Sequence, residues 1–337
     1  MENHSVFIKN IVLHILDTSV GAPVLSNQEI DSEQEGYEFI ENLLQKMLAD
    51  DNLKDAEFVE GPNRVRQLCE DLQSGEDFIA ISQEIARMLY EIISPQPTIP
   101  AADLVCCRIL IDDLPFLGLL KLNYRTNYIH HVEYQGETNI NLLVKQRTVL
   151  PGENQKPEEG ILINLTDFSI RLIEKEYEID GNKEYYLSKK FLKCSDKLSR
   201  AAKAKIISQV AERLGKKYNN EKFDSIAKLR KKVTENMEEF NSIEVQSVAR
   251  EIFKDNPAAQ KEYLAEIKEA GIKEERIELT PKLAEQKFGS HKIKTDTGIE
   301  INFPATYYNN KEMIEFINHP NGTVSILIKN VGKISNK

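Results

Sequence analysis

Two apolar, β-prone runs, residues 104–111 and 116–124, are separated only by Asp112, Asp113, Leu114 and Pro115. A link this short, made of turn-forming residues, joins the runs as an antiparallel hairpin. The first half of the chain must therefore be organised around a β-sheet. Further strands are expected at 6–16, 139–150 and 160–165, and at 171–179 with 185–187, a pair that turns at Asp180-Gly181. Two helical repeats interrupt them. Phe39, Leu43, Leu44, Met47 and Leu48 share one face of 36–49, and Phe78, Ile81, Ile85, Leu89 and Ile92 share one face of 77–93. Residues 94–100 hold three prolines and form a loop.

The apolar period changes at about Ser188. Helices are expected at 196–214, 222–240, 243–253 and 257–270. Gly215 and Gly271 stand where helix C-caps favour glycine, and Asn256-Pro257 reads as a cap followed by proline at the first helical position. The chain then returns to hairpins, 292–294 with 299–303 around Asp296-Thr297-Gly298, and 313–317 with 324–328 around Asn321-Gly322. The expected fold class is α+β. An N-terminal α/β domain has a mostly antiparallel sheet, and a helical region and a small C-terminal antiparallel sheet follow it. The domains are 1–183, acidic, and 184–337, basic helices followed by a C-terminal β-meander. A chain of 337 residues suits two such domains.

Charge is distributed unevenly. The net charge is −10, and residues 1–100 carry 19 Asp/Glu against 6 Lys/Arg, a net of −13. Residues 183–232 carry 16 Lys/Arg against 5 Asp/Glu, a net of +11. A basic segment in an acidic protein suits phosphate binding, where neutralising phosphates releases condensed counterions. The alternative is a solvated lysine face with no partner. Residues 6–16 are apolar but interrupted by Lys9 and His14, without a small-residue cleavage site after them. The longest apolar run, 116–122, is far too short to span a bilayer. A cytoplasmic location without membrane partners is expected. Cys69, Cys106, Cys107 and Cys194 fit neither a disulfide framework nor zinc-ligand spacing. They read as reduced core or near-core thiols, with Cys106 and Cys107 pointing to opposite faces of one strand.

No catalytic pattern emerges. Gly215-Lys216-Lys217 lacks the glycine at 210 and the hydroxyl residue at 217 of a phosphate loop; those positions are Val210 and Lys217. His130-His131 would diverge on a strand, and no other histidine pair could chelate a metal. A metal-dependent nuclease needs clustered carboxylates, but Lys121 has none two residues before it, and Asp112-Asp113 reads as a turn. The expectation is a non-enzymatic protein with no cofactor and no metal.

The basic segment holds the candidate site. Ile206, Ile207, Val210 and Leu214 form a buried stripe that Lys197, Lys205, Arg213 and Lys216 avoid. Lys203 continues the stripe, so it either snorkels past the core edge or faces a partner. Lys189, Lys190 and Lys193 surround Phe191, and Lys217 closes the helix. Lys228, Arg230, Lys231 and Lys232 load the next helix, opposite Phe223, Ile226, Val233, Met237 and Phe240. Lysine outnumbers arginine, which favours the phosphate backbone over base edges. All thirteen cations are candidate contacts to double-stranded DNA, bound without strong sequence preference.

Residues across the chain resemble the bacterial 37-kDa nucleoid-associated protein family. They are Ile8-Lys9-Asn10-Ile11-Val12-Leu13-His14, and Gly75-Glu76-Asp77-Phe78-Ile79-Ala80-Ile81-Ser82 with Ala86 and Leu89. The stretch 161–168, Tyr185-Tyr186-Leu187, the basic run to Leu214, Gly298-Ile299-Glu300-Ile301-Asn302-Phe303 and Asn321-Gly322 complete the likeness. The resemblance implies a cytoplasmic protein on the nucleoid that associates with DNA and has no known catalytic residues. If about five phosphates are contacted, log K should fall with log salt at a slope near −4.5. So weak a site would gain from a homodimer. The rival expectation is an interaction protein that reaches the nucleoid through another nucleoid protein.

Overall fold

The hairpin expected at 104–124 supplies two adjacent interior strands of a seven-stranded sheet. The computed structural model describes residues 4–31, 35–136, 138–218 and 222–335. The chain divides into two compact units, Met1–Lys197 and Leu198–Lys337. The first unit contains β1 (Val6–Leu16), α1 (Glu35–Leu48), β2 (Lys54–Phe58), α2 (Arg64–Gln73), α3 (Phe78–Ile93), β3 (Ala102–Ile111) and β4 (Leu114–Asn123). It continues with β5 (Arg125–Gln135), β6 (Thr138–Val149), β7 (Glu159–Asn164), β8 (Ile170–Ile173), β9 (Tyr177–Ile179), β10 (Asn182–Glu184), a π-helix (Leu187–Leu192) and β11 (Cys194–Asp196).

The sheet order is β1-β3-β4-β7-β8-β2-β11, and every pairing is antiparallel. Asp112 and Asp113 both adopt positive φ, 48° and 67°, as a tight turn matched to strand twist requires. The sheet is covered on both faces. Cys106 packs with α2 and α3, while its neighbour Cys107 packs with α1, as strand alternation dictates. Gly118 lies against Cys107, whose Sγ would sit 2.7 Å from an added Cβ. Asp77 caps α3 by accepting from the Ile79 and Ala80 amides, and of the predicted apolar face Phe78, Ile81, Ile85 and Leu89 are buried while Ile92 is partly so.

After β10 the chain remains in this unit. Tyr186, Leu187, Phe191 and Leu192 are buried in the α2–α3 core, and β11 pairs with β2. These fourteen residues carry the division from the compositional change at 183/184 to 197/198. β5 and β6 form a separate ribbon, an arm about 35 Å long at ordinary strand rise. Its solvent exposure is nearly complete, including Tyr128, Ile129, Tyr134 and Leu143.

The second unit contains α4 (Arg200–Tyr218), α5 (Lys222–Phe240), β12 (Ser242–Glu244), α6 (Val245–Ile252), α7 (Pro257–Glu269), β13 (Arg276–Glu278) and α8 (Pro281–Phe288). It ends in β14 (Ser290–Lys294), β15 (Glu300–Pro304), a 3-10 turn (Ala305–Tyr307), β16 (Ile314–Asn318) and β17 (Val324–Ile328). β14–β15 and β16–β17 are separate antiparallel hairpins. α5 is the central helix, packed by α4, α6, α8 and the 3-10 turn. Gly215 does not end α4. It lies buried where α5 crosses, and an added Cβ would meet Ser225 Oγ at 2.2 Å. Gly271 does follow its helix, at φ 100°.

Candidate nucleic-acid interface

The thirteen candidate cations fall in both units. Residues 198–337 carry 25 Lys/Arg against 20 Asp/Glu, a net of +5, while residues 1–197 carry 19 against 34, a net of −15. In the first unit, Lys190 pairs with Glu184 at 3.1 Å and Lys197 with Glu57 at 3.2 Å. Lys189 lies within the π-helix, exposed and without an ion pair among the described residues. Lys193, at φ 47°, lines an open cleft of about 590 Å³ with Gly61, Asn63, Arg64, Arg66 and Glu70. The cleft is only partly basic, because Arg66 pairs with Glu70 and Arg64 with Glu84.

In the second unit, helical phase sorts the cations of α4 into two strips. Ala204, Ile207, Val210, Ala211 and Leu214 face the core. Lys205 and Lys216 lie opposite, eleven residues or about 16 Å apart, exposed and without an ion pair among the described residues. Lys203, Arg213 and Lys217 occupy the flank. Lys203 reaches from a half-buried position to Glu274 at 2.7 Å. Arg213 pairs with Glu266, and Lys217 with Glu262 at 2.6 Å, both on α7. The hydrogen bond from Lys217 holds the Glu262 carboxyl below its ordinary range and raises Lys217 above its own.

The α5 cations are less accessible. Lys228 pairs with Asp224 at 2.6 Å and Lys232 with Glu235 at 3.2 Å. Arg230 turns inward to donate to the Ser290 carbonyl at 2.6 Å, and burial lowers its pKa. Lys231 is half-buried without an ion pair among the described residues. Val233 is buried and Ile226 and Met237 pack on the core, whereas Phe240 is 44 % exposed beneath Arg276. The side chain of Phe223 lies outside the described residues. The expected pair of basic helices thus becomes one exposed helix, α4, beside one surrounded helix, α5.

Sequence reasoning missed a buried polar network at the root of the arm. Lys121 on β4 donates to Glu159 Oε2 on β7 at 3.0 Å, to the Pro100 carbonyl at 3.2 Å and to Asn123 Oδ1. Asn123 Nδ2 and the Tyr177 hydroxyl donate to the same Glu159 oxygen at 2.9 and 3.0 Å. Burial lowers the Lys121 pKa, opposed by the charge of Glu159. Asn123 also reaches Glu158, which pairs with Arg125 at the first position of β5. Lys121 and Glu159 are 38 residues apart in sequence, so no local pattern announces the pair.

His130 and His131 stand opposite Leu143 and Leu142 on the arm. Among the described residues no group of three or more His, Cys, Asp or Glu is placed to hold a metal ion, and no helix is long and apolar enough to cross a membrane. A comparison with curated proteins found no match. A family model described as nucleoid-associated protein YejK matches residues 12–335.

Proposed function

Because the chain belongs to the nucleoid-associated protein YejK family, we propose that it binds double-stranded DNA through the phosphate backbone, without strong sequence preference and without catalysis. The observation that carries this reading is the exposed strip of Lys205 and Lys216 on α4, in a unit of net +5 within a protein of net −10. Lys189, Lys193 and Lys231 are the other lysine candidates without a carboxylate partner among the described residues, and Arg230 is turned inward to the Ser290 carbonyl. Five phosphate contacts correspond to a slope of log K against log salt near −4.5 and to ~10⁻⁴–10⁻⁶ M per protomer. The location that follows is the nucleoid, in the cytoplasm. Fluorescence anisotropy of a labelled duplex from about 50 to 200 mM salt tests the reading. Steep, sequence-indifferent salt dependence supports it, and no binding at the lowest salt refutes it.

Affinity this weak gains from two linked sites, and the occupant we propose for the arm is a second copy of the chain. An isolated two-stranded ribbon is marginal in water, and this one is apolar on both faces. Tyr128, Tyr134 and Leu143 share one face, and Ile129, Ile140, Leu142 and Val144 the other. Sedimentation of the Leu142→Glu, Leu143→Glu double variant should give a monomer where the parent gives a dimer. A parent that sediments as a monomer, or an unaffected dimer, removes the arm from this role.

The acidic first unit, at net −15, favours a second reading, recruitment to the nucleoid through a basic protein partner. That reading expects purified protein to ignore DNA at moderate salt and to capture a partner from nuclease-treated lysate.

A further inference from the structure

The candidate interface carries its own competing anions. Glu262 and Glu266 stand one turn apart on α7, so both side chains face the same way. That face borders the flank of α4, where Arg213 and Lys217 are 64 % and 54 % exposed and their carboxylate partners only 19 % and 30 %. Cations outside and carboxylates beneath is the arrangement a phosphate would meet on approaching this flank. The carboxylates are held in place. Tyr263, between them in sequence, is fully buried and donates its hydroxyl to the Ile207 carbonyl of α4 at 3.3 Å, while Ala259 and Ile267 complete the packed face of α7. The Tyr218 hydroxyl adds a second donor to Glu262.

We infer that Glu262 and Glu266 are resident competitors for DNA phosphates, withholding Arg213 and Lys217 and leaving Lys205 and Lys216 as the uncompensated cations of α4. This rests on the DNA-binding reading above. It makes two carboxylates outside the basic segment the residues that set affinity. Exposed ion pairs are individually weak, so the competition tunes binding and does not abolish it.

The test is the Glu262→Gln, Glu266→Gln double variant in the full chain, with anisotropy of a labelled duplex read from about 50 to 200 mM salt. Freeing two cations adds about 0.9 each to the slope, so it should steepen by roughly 1.8. Over that salt range the advantage of the variant over the parent should therefore grow about tenfold toward low salt. Glu238→Gln with Glu239→Gln is the charge-matched control. These exposed residues near the end of α5 form no ion pair among the described residues, and their neutralisation should leave the slope unchanged.

A parent that binds with the expected salt dependence, beside a Glu262/Glu266 variant of unchanged slope, overturns this inference and leaves DNA binding standing. Equal effects from the two double variants also overturn it, because bulk charge would then suffice. A parent that ignores DNA at every salt overturns both. Should the variant melt differently from the parent, Glu262→Gln alone gives the same reading at half the slope change, since it leaves the Arg213–Glu266 pair intact.

Discussion

Lowering the pH should unfold this protein earlier than its carboxylates alone would, because each unit buries a neutral histidine. In the first unit, the Ser26 amide donates to His14 Nδ1 at 3.1 Å, so the ring proton resides on Nε2 and points to Ser82 Oγ at 3.0 Å. Both ring nitrogens are satisfied in that tautomer, and a second proton would face the Ser26 N–H. Burial, with the charge of Arg87 adding to it, lowers the His14 pKa from 6.5 to about 4. In the second unit, burial and the charge of Arg230 lower His291 to about 4 as well, among Phe303 and Tyr308. The folded pKa is depressed, so the unfolded chain binds more protons between pH 6.5 and 4. Stability is full above 6.5 and falls through that window. Each histidine costs about 2 kcal/mol by pH 5 and about 3 kcal/mol by pH 4. Between 6.5 and 5 the carboxylates with depressed pKa values, such as Glu84 and Glu274, stay ionised, and Asp103, raised by burial, works in the opposite direction to the histidines. Urea midpoints measured every half unit should decline in this interval, and His14→Gln should flatten the decline for the first unit. Midpoints flat from 6.5 to 5, or a slope that survives His14→Gln, would refute the reasoning.

Three further outcomes follow from contacts already described. Gly215→Ala forces a methyl onto Ser225 and should lower the second unit's stability by about 1–3 kcal/mol in thermal melts. Adding Ser225→Gly should recover most of the loss, and failure of that rescue would place the strain elsewhere. Lys121→Met strands the buried Glu159 and should cost about 3–5 kcal/mol, with Glu159→Gln as second change restoring part of it. Lys205→Glu with Lys216→Glu should flatten the salt slope of DNA binding by about 1.8, whereas an unchanged slope would move the interface off α4.

The sequence carried those features whose cause is local. Asp112-Asp113 announced the β3–β4 hairpin because aspartate tolerates left-handed backbone, and the 3.6-residue repeat of α5 placed it at 222–240, the bounds found. Where cause lies across the fold, the reading stopped. α2 is an exception: Cys69 reads as part of a helical pattern, and Val65, Leu68, Cys69 and Leu72 stand at the i, i+3, i+4, i+7 spacing of one helical face, yet no bounds were drawn from it. β5 received no bounds, although His130-His131 was treated as lying on a strand and its equally exposed partner β6 was read at 139–150. Gly215 looked like a helix end because a close helix crossing and a C-cap both favour glycine. The cations were countable, but their carboxylate partners on α7 and at Glu274 are 45 to 71 residues distant. Charge on a helix is visible in sequence, whereas its neutralisation belongs to packing.

Cys106 and Cys107 are adjacent in sequence yet sealed into opposite faces of one sheet, and burial raises Cys107 to about 12 and Cys106 well above its ordinary value. Such thiols react with alkylating reagents only when their own layer parts. Peptide mapping of singly alkylated chains therefore yields two opening rates from neighbouring residues, one for the α2–α3 layer and one for the α1 layer. Unequal rates would mean that the sheet sheds its two helical coats independently, and equal rates would mean that they detach as one cooperative unit.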